Sequence, residues 1–205
     1  MNCKNDQASL EPLGCNSMDV ETAIAKRRAY RSLEHVEITD ELVTDLARHA
    51  QLSASCFNNQ PTRFIFVYDP EMLKKMHEAL SSGNAWAKNA SMIIAVFAKK
   101  DMDCDIKGRE YYLFDLGQAS AFLQLRATEL GLVAHPIAGY DEELVKEILD
   151  IPAEMKVITL IIVGKKSETI NPILSDDQRA KELKRPERLP IEKIAFKNKY
   201  TASDD

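Results

Sequence analysis

The sequence lacks the short motifs that identify the most common enzyme classes. It contains no G-x-G-x-x-G after a predicted strand, no Walker A loop, no G-x-S-x-G and no H-E-x-x-H. Histidine is scarce, with 4 residues, and no cysteine shares a segment with histidines at metal-ligand spacing. A Rossmann site, a P-loop, a serine-hydrolase site and a metal centre are therefore not predicted.

Cysteine is scarce as well, and Cys3, Cys15, Cys56 and Cys104 form no C-x-x-C pair. This spacing favours unpaired thiols in a reducing compartment. The first 17 residues contain no apolar core like that of a signal peptide, and the longest apolar runs are far shorter than the roughly 20 residues of a spanning helix. We therefore expect a cytoplasmic protein with no membrane partner.

An excess of positive charge is also absent. The formal net charge is −5, so no overall basic field attracts nucleic acid. What the chain does have is 205 residues that are 45% hydrophobic and 29% charged, as is typical of a globular domain. We predict a flexible lead-in over residues 1–16 and a single domain over residues 17–200.

The spacing of apolar residues predicts an α+β fold, because helices and strands interleave without a strict βαβ rhythm. Ser17 is expected to cap the first helix, and Thr39 or Asp40 the second. The helix predicted over 111–130 mixes large and very small side chains, which suits a central helix packed on several sides. Further helices are predicted over about 70–80, 141–149 and 178–184, strands over 63–68, 92–97 and 157–163, and a strand-and-loop segment over 132–140. The polar tail, residues 167–200, carries isolated apolar residues and is expected to wrap a partner subunit.

Four local features carry candidate chemistry, and each has an ordinary alternative. Arg27, Arg28 and Arg31 form either a phosphate-binding cluster or a solvated end of a helix. The basic segment 184–188 has the same two interpretations. The polar segment 55–61 is a simple turn or a set of hydrogen-bonding groups for a heterocycle. Segment 136–139 is a strand-to-helix turn or a backbone surface open to a flat ligand.

Taken in order, these segments resemble the FMN-dependent nitroreductase family. The resemblance runs from about Val20 to Ile194. Its pieces are the turn at 27–31, the loop at 55–61, Asn84-Ala85-Trp86 before a buried strand, the long helix with Asp115-Leu116-Gly117, Gly131-Leu132, segment 136–141, Val163-Gly164 and Arg188-Leu189-Pro190-Ile191.

The resemblance implies a homodimer with a central, mixed but mostly antiparallel sheet flanked by helices, a long central helix and an exchanged C-terminal arm. Each of its two FMN sites would be built from both subunits. Carried over by position, Arg27 and Arg31 would hold the phosphate and ribityl chain with Arg28 beside them, and Arg188 and Arg185 would add charge from the tail. Asn84 would contact the pyrimidine edge of the ring, and Pro136, Ala138 and Gly139 would lie along the ring. The second subunit would contribute Ser55, Cys56 and Asn58.

Four positions depart from the family's usual pattern. Ala29 stands in the turn where a serine is common, so one hydroxyl contact to the flavin is lost. Cys56 replaces another frequent serine, Thr62 stands where an aromatic residue is often found, and Ala138 occupies a position that is glutamate in some relatives. The phosphate cations are retained, so FMN remains the expected cofactor while the substrate preference is open.

The activity implied is passage of hydride from NADH or NADPH through flavin N5 to a nitroaromatic, a quinone or a similar small-molecule electron acceptor, by a ping-pong mechanism. No amino-acid acid, base or nucleophile is assigned, because the isoalloxazine carries the reactive chemistry. The short polar stretch between Lys99 and Tyr111 favours an open site. Alternatives are the same fold acting in dehalogenation, enoate reduction or flavin breakdown, a non-catalytic flavin-binding module, and an anion binder unrelated to flavin.

Overall fold

The computed structural model describes residues 18–201. The predicted lead-in, residues 1–16, and the predicted cap Ser17 lie outside these residues. The helices are α1 (Val20–Lys26), α2 (Asp40–Gln51), α3 (Pro70–Met76), α4 (Tyr111–Glu129), α5 (Glu142–Ile148) and α6 (Asp176–Leu183). The strands are β1 (Leu33–Glu34), β2 (Arg63–Val67), β3 (Met92–Ala98), β4 (Asp105–Ile106), β5 (Arg109–Glu110), β6 (Leu132–Ile137) and β7 (Lys156–Lys166).

Side-chain caps fix where the helices begin. The first helix is capped by Asp19, whose carboxylate accepts a hydrogen bond from the Thr22 N–H at 2.7 Å, and not by Ser17 as predicted. Asp19 lies one residue before the helix, so it is the one that reaches the free N–H groups of the first turn. Thr39 caps α2 and Asp141 caps α5, which confirms both predictions.

The main sheet is built around β7. Strand β3 pairs along one edge of β7 and β6 along the other, β2 pairs with β3, and β1 pairs with the last residues of β7. All pairings among the described residues are antiparallel, and β4 and β5 form a separate small hairpin. The outermost long strands are therefore β2 and β6, three strand spacings apart.

Both faces of the sheet are covered, as the apolar run of β3 predicted. Met92, Ile94 and Val96 pack against α2 and α4, whereas Ile93 and Ala95 pack on the opposite side with residues of α3 and α5. The alternation follows from the two-residue period of a strand. Every residue of β3 is buried, because the sheet lies between two layers of helices.

Helix α4 lies along the sheet through its small and apolar residues, and Gly131 ends it at φ +77°, a conformation that favours glycine. Its other face is open in the single chain. Leu113, Phe114 and Phe122 are 41%, 63% and 44% exposed. Within one chain the helix packs against the sheet and against α1 and α2, and the face that carries these three residues stays open.

The C-terminal segment leaves the domain after α6, which begins at Asp176, earlier than the predicted 178. Beyond α6 the chain is extended apart from one 3-10 turn, Ile191–Lys193. Its apolar residues Leu189, Ile191 and Ile194 are 67%, 69% and 60% exposed. Within residues 18–201, no helix combines the length and the apolar character needed to cross a membrane.

Candidate functional site

The turn between α1 and β1 carries the first group of predicted site residues, and α6 holds it in place. The Arg28 guanidinium lies 4.5 Å from the centre of the Tyr30 ring and donates to the carbonyls of Lys181 and Glu182 at 2.7 and 3.2 Å. These carbonyls belong to the last turn of α6, where a cation complements the helix dipole. Arg28 is thus placed as a structural clamp between the turn and α6.

Glu182 is a second contact between α6 and the turn. Its buried carboxylate accepts hydrogen bonds from the backbone N–H groups of Arg31 and Ser32 at 2.8 and 3.0 Å. Charged acceptors of this kind make stronger hydrogen bonds than neutral ones. The contact fixes the backbone at the point where the Arg31 side chain begins.

The segment after α6 returns to the C-terminus of α1. The Arg185 guanidinium donates to the carbonyls of Ala25 and Arg27 at 2.6 and 2.8 Å. Burial lowers the pKa of Arg27, and the positive charges of Arg185 and Arg188 lower it further. Three of the predicted phosphate ligands therefore gather close enough for their charges to act on one another, although Arg27 lies more than 150 positions from the other two in the sequence.

His135 forms the inner wall of this group. Its ring stacks on Trp86 with 4.7 Å between the ring centres, and its Nδ1 lies 3.0 Å from the Tyr30 carbonyl. Burial lowers the pKa of His135 to about 4, and the charges of Arg31 and Arg27 act in the same direction. The imidazole is therefore neutral at pH 7, with its proton on Nδ1, because a carbonyl can only accept.

A further part of the predicted site lies where the loop after β6 meets residues 81–84. The Asn84 side-chain N–H donates to the Gly139 carbonyl at 2.9 Å, and the Ser81 N–H donates to the same oxygen at 3.1 Å. A Cβ atom on Gly139 would lie 2.5 Å from Ser81 Oγ and 2.6 Å from Asn84 Nδ2. A side chain at this position would require Ser81 and Asn84 to move, so glycine suits this close approach, while Pro136 and Ala138 are exposed beside it.

The second group of predicted residues lies in the loop before β2. Ser55 Oγ accepts from the Gln60 N–H at 3.0 Å, and the Cys56 N–H donates to the Asp115 carboxylate of α4 at 2.7 Å. Asn58 is exposed at a positive φ of 60°. The loop also borders a cavity of ≈ 460 Å³ between α2, α4 and the start of β2.

Cys56 and Cys104 form a disulfide, so the expectation of unpaired thiols is wrong for this pair. The two residues are separated by 48 positions, which leaves no spacing motif to recognise. Their pairing depends on the fold, because the Cys56 loop and the segment after β3 meet only once α4 and β2 are in place. The other two cysteines lie outside the described residues.

The two groups stand apart in a single chain. Hydrogen bonds, ring contacts and electrostatic effects among residues 18–201 join the members of each group, but none joins a residue of the Arg27 group to one of the Cys56 loop. Segment 136–139 follows β6 and the Cys56 loop precedes β2, the two outer strands. Three strand spacings amount to roughly 14 Å.

Sequence reasoning missed Glu182, His135, Trp86 and Asp115 as parts of these groups. Glu182 lies in a charged helix whose pattern is that of a solvated surface. His135 carried no local signal beyond its place next to segment 136–139, and Trp86 stood within the quoted piece Asn84-Ala85-Trp86 without a role. Asp115 stood within a quoted motif but received no role. Each acts through a contact between segments distant in sequence.

Comparisons with known proteins agree with this architecture. The model of the nitroreductase family matches residues 24–165. An Archaeoglobus fulgidus protein with the provisional name NADH dehydrogenase/NAD(P)H nitroreductase is 32% identical over 145 residues, which cover 69% of this chain and 82% of that protein. A solved oxidoreductase containing FMN has a TM-score of 0.77 at 27% identity, covering 99% of this chain and 100% of the other.

A solved Exiguobacterium sibiricum protein in complex with FMN has a TM-score of 0.75 at 21% identity. That likeness covers 90% of this chain and 99% of the other, and it concerns the fold. Together with the full-length match to the FMN-containing oxidoreductase, it shows that the α+β architecture with the long helix α4 is the one predicted.

Proposed function

The chain belongs to the nitroreductase family, and from this premise we propose that it is an FMN-dependent oxidoreductase. It would pass reducing equivalents from NADH or NADPH to a nitroaromatic, a quinone or a similar small-molecule acceptor. The observation that carries the proposal is the cluster of Arg27, Arg185 and Arg188 at the C-terminus of α1.

This cluster fits a phosphate. None of the three arginines forms an ion pair with a carboxylate among residues 18–201. Their mutual repulsion and the burial of Arg27 cost free energy, as the lowered pKa of Arg27 records. A phosphate group would offset that cost through charge-assisted hydrogen bonds to guanidinium groups. The arrangement therefore supports an anion as the natural occupant.

The rest of the group fits the remainder of a flavin nucleotide. Neutral His135 and the Trp86 ring line the space next to Arg31 without adding a competing charge. The exposed Pro136 and Ala138 offer a flat surface, and Gly139 keeps the backbone close to Asn84. Asn84 would form a hydrogen bond to the pyrimidine edge of the ring. Ala29 has no polar side-chain atom, so only its backbone could contact the flavin.

A second copy of the chain would supply the missing half. Ser55, Cys56 and Asn58 lie beside the opposite outer strand from segment 136–139, too far to share one ring within a single chain. The exposed Phe114 and Phe122 of α4 and the apolar residues of the C-terminal arm are surfaces that a homodimer would bury. We therefore propose the homodimer with exchanged arms as the active form.

When bound, FMN would supply two-electron chemistry between NAD(P)H and the acceptor, in a ping-pong order. The chain's own residues would position it. Arg27, Arg185 and Arg188 hold the phosphate end, and Glu182 and Arg28 keep the turn rigid through α6. The short hairpin of β4 and β5 leaves the neighbouring surface open, which supports a broad range of acceptors.

An absorbance spectrum of the purified protein tests this function. We expect flavin bands that bleach on anaerobic addition of NADH or NADPH and return when a nitroaromatic or a quinone is added. The nucleotide that bleaches them fastest is the physiological donor. A colourless protein that does not take up added FMN would contradict the proposal, and a flavin that no nucleotide reduces would leave a flavin store instead of an enzyme.

A further inference from the structure

The Cys56–Cys104 disulfide connects two loop segments that are distant in the sequence. It links the loop before β2 to the segment between β3 and α4, with 6.2 Å between the two Cα atoms. Both cysteines are half-buried and thus within reach of a small molecule. Nothing in the flavin-binding function proposed above requires this bond.

Asn59 distinguishes the two sulfur atoms. Its side-chain N–H lies 3.5 Å from Cys104 Sγ and also donates to the Asp103 carboxylate at 3.1 Å. A donor at Cys104 Sγ stabilises negative charge on that sulfur, and a more stable thiolate is the better leaving group. Cys104 is therefore the sulfur suited to leave, and Cys56 the one suited to be attacked.

Two carboxyl groups lie beside the bond. The Asp115 carboxyl is 3% exposed, and Asp103 Oδ2 is buried without a donor among the described hydrogen bonds. Burial and then Asp103 raise the pKa of Asp115, although the hydrogen bond from Cys56 acts against this.

The Asp103 carboxyl is close to both sulfur atoms. One Asp103 oxygen, Cys56 Sγ and Cys104 Sγ all lie within 4.8 Å of one another. From these contacts we propose that Cys56 and Cys104 form a thiol–disulfide exchange site for small dithiols, a second redox centre that works without FMN.

The reaction balances as follows. A thiolate of the dithiol attacks Cys56 Sγ, the bond between the two sulfurs breaks, and its electron pair passes to Cys104 Sγ, where the Asn59 donor lies and where a proton from solvent is then taken up. The second thiol of the reductant loses its proton to solvent, attacks the mixed disulfide and releases Cys56, which is protonated from solvent. The dithiol is oxidised to a cyclic disulfide, and the protein gains two thiols.

The loop conformation favours opening of the bond. Phe57, Asn58 and Gln60 all have positive φ values, of 47°, 60° and 51°. Residues other than glycine adopt the left-handed region of φ at a cost in free energy, so surrounding contacts must hold the loop in this conformation. The disulfide, the hydrogen bond from Cys56 to Asp115 and hydrogen bonds such as that from the Gln60 N–H to Ser55 Oγ hold it, and reduction would release the covalent one of these contacts.

The test uses the full-length holoprotein with Cys3 and Cys15 replaced by serine, so that only this pair reacts. The native protein is incubated with dithiothreitol, then denatured in acid and alkylated with a maleimide of large mass. We expect both thiols to appear together and to disappear again when the reductant is removed and oxidised glutathione is added. The proposal would be overturned if the disulfide stayed intact in excess dithiothreitol under native conditions, or if both thiols were still free after oxidised glutathione was added.

Variants test the assigned roles. Asn59→Ala should slow the appearance of thiols about tenfold, since it removes the hydrogen-bond donor from the developing charge on Cys104. Asn89→Ala, a matched change at an exposed residue away from the disulfide, should leave the rate unchanged. Equal rates in the wild type and in both variants would overturn the assignment of Cys104 as the leaving sulfur.

Discussion

The carboxylate of Glu182 accepts a hydrogen bond from the backbone N–H of Arg31 at 2.8 Å, although the two residues are 151 positions apart. The same carboxylate accepts from the Ser32 N–H at 3.0 Å. One side chain of α6 thus sets the backbone from which the arginines of the proposed phosphate site project. The relationship makes the stability of the turn and its affinity for an anion depend on the same residue.

Replacing Glu182 by alanine should therefore weaken both. Two buried N–H groups would lose their acceptor, at a cost of about 2–4 kcal/mol in the free energy of unfolding. FMN affinity should fall about tenfold, because the turn is no longer held. Denaturant titration and flavin fluorescence measure the two effects. Glu147→Ala, at an exposed residue of α5 away from the proposed phosphate site, is the matched control and should change neither; a normal FMN affinity in Glu182→Ala would show that the turn is rigid without α6.

His135 makes stability depend on pH. Its pKa in the folded state is about 4 and its unfolded value is 6.5, so the unfolded chain binds the proton first as the pH falls. The contribution of His135 is complete above pH 6.5 and is lost on the way down to about pH 4. The loss amounts to about 3 kcal/mol. Urea titrations at several pH values should show this slope in the wild type and a shallower one in His135→Asn, whose amide can still donate to Tyr30. Identical slopes would mean that His135 is not buried in its neutral form.

Gly139 tests the close approach at the proposed pyrimidine edge. Gly139→Ala would place a methyl group within 2.6 Å of the Asn84 amide nitrogen and break its hydrogen bond to the Gly139 carbonyl. We expect a loss of about 1–3 kcal/mol in stability and weaker FMN binding. Gly83→Ala is the control, since a Cβ there meets no atom within 4 Å. Thermal unfolding and flavin titration of both variants measure the two effects. Equal stability and equal FMN affinity of the two variants would contradict the assigned contact.

The exposed face of α4 tests the homodimer. Phe114→Lys would place a charge in the proposed interface, where an unpaired ammonium is costly, and should shift the dimer toward monomer with loss of bound flavin. Sedimentation velocity with detection at a flavin band follows both quantities at once. Lys74→Glu on α3, the opposite side of the sheet, is the control and should remain dimeric. A monomeric wild type that retains full flavin would remove the need for a second subunit.

The parts of this structure that the sequence predicts are those with local causes. The two-sided burial of β3, the caps Thr39 and Asp141, and the left-handed Gly131 each depend on residues within a few positions of one another. The order of segments, through the family resemblance, predicted the fold class as well. These features need no knowledge of what lies across the sheet.

The contacts that build the candidate site are of the opposite kind. Arg185 reaches the Arg27 carbonyl across 158 positions, and Cys56 meets Cys104 across 48. The charge pattern around Glu182 is that of a solvated helix, and only the folded chain shows that this one carboxylate is buried against the turn. Pairing of distant segments is fixed by packing, which leaves no spacing in the sequence to read.

The central claim is that the cluster of Arg27, Arg185 and Arg188 recognises a flavin through its phosphate. Comparing the affinities of the apoprotein for FMN and for riboflavin, which differ only in that group, tests it most directly. The account predicts that FMN binds about a hundredfold more tightly or better, and that Arg27→Gln removes most of this difference while leaving riboflavin binding unchanged. Equal affinities for the two ligands in the wild-type protein would contradict it.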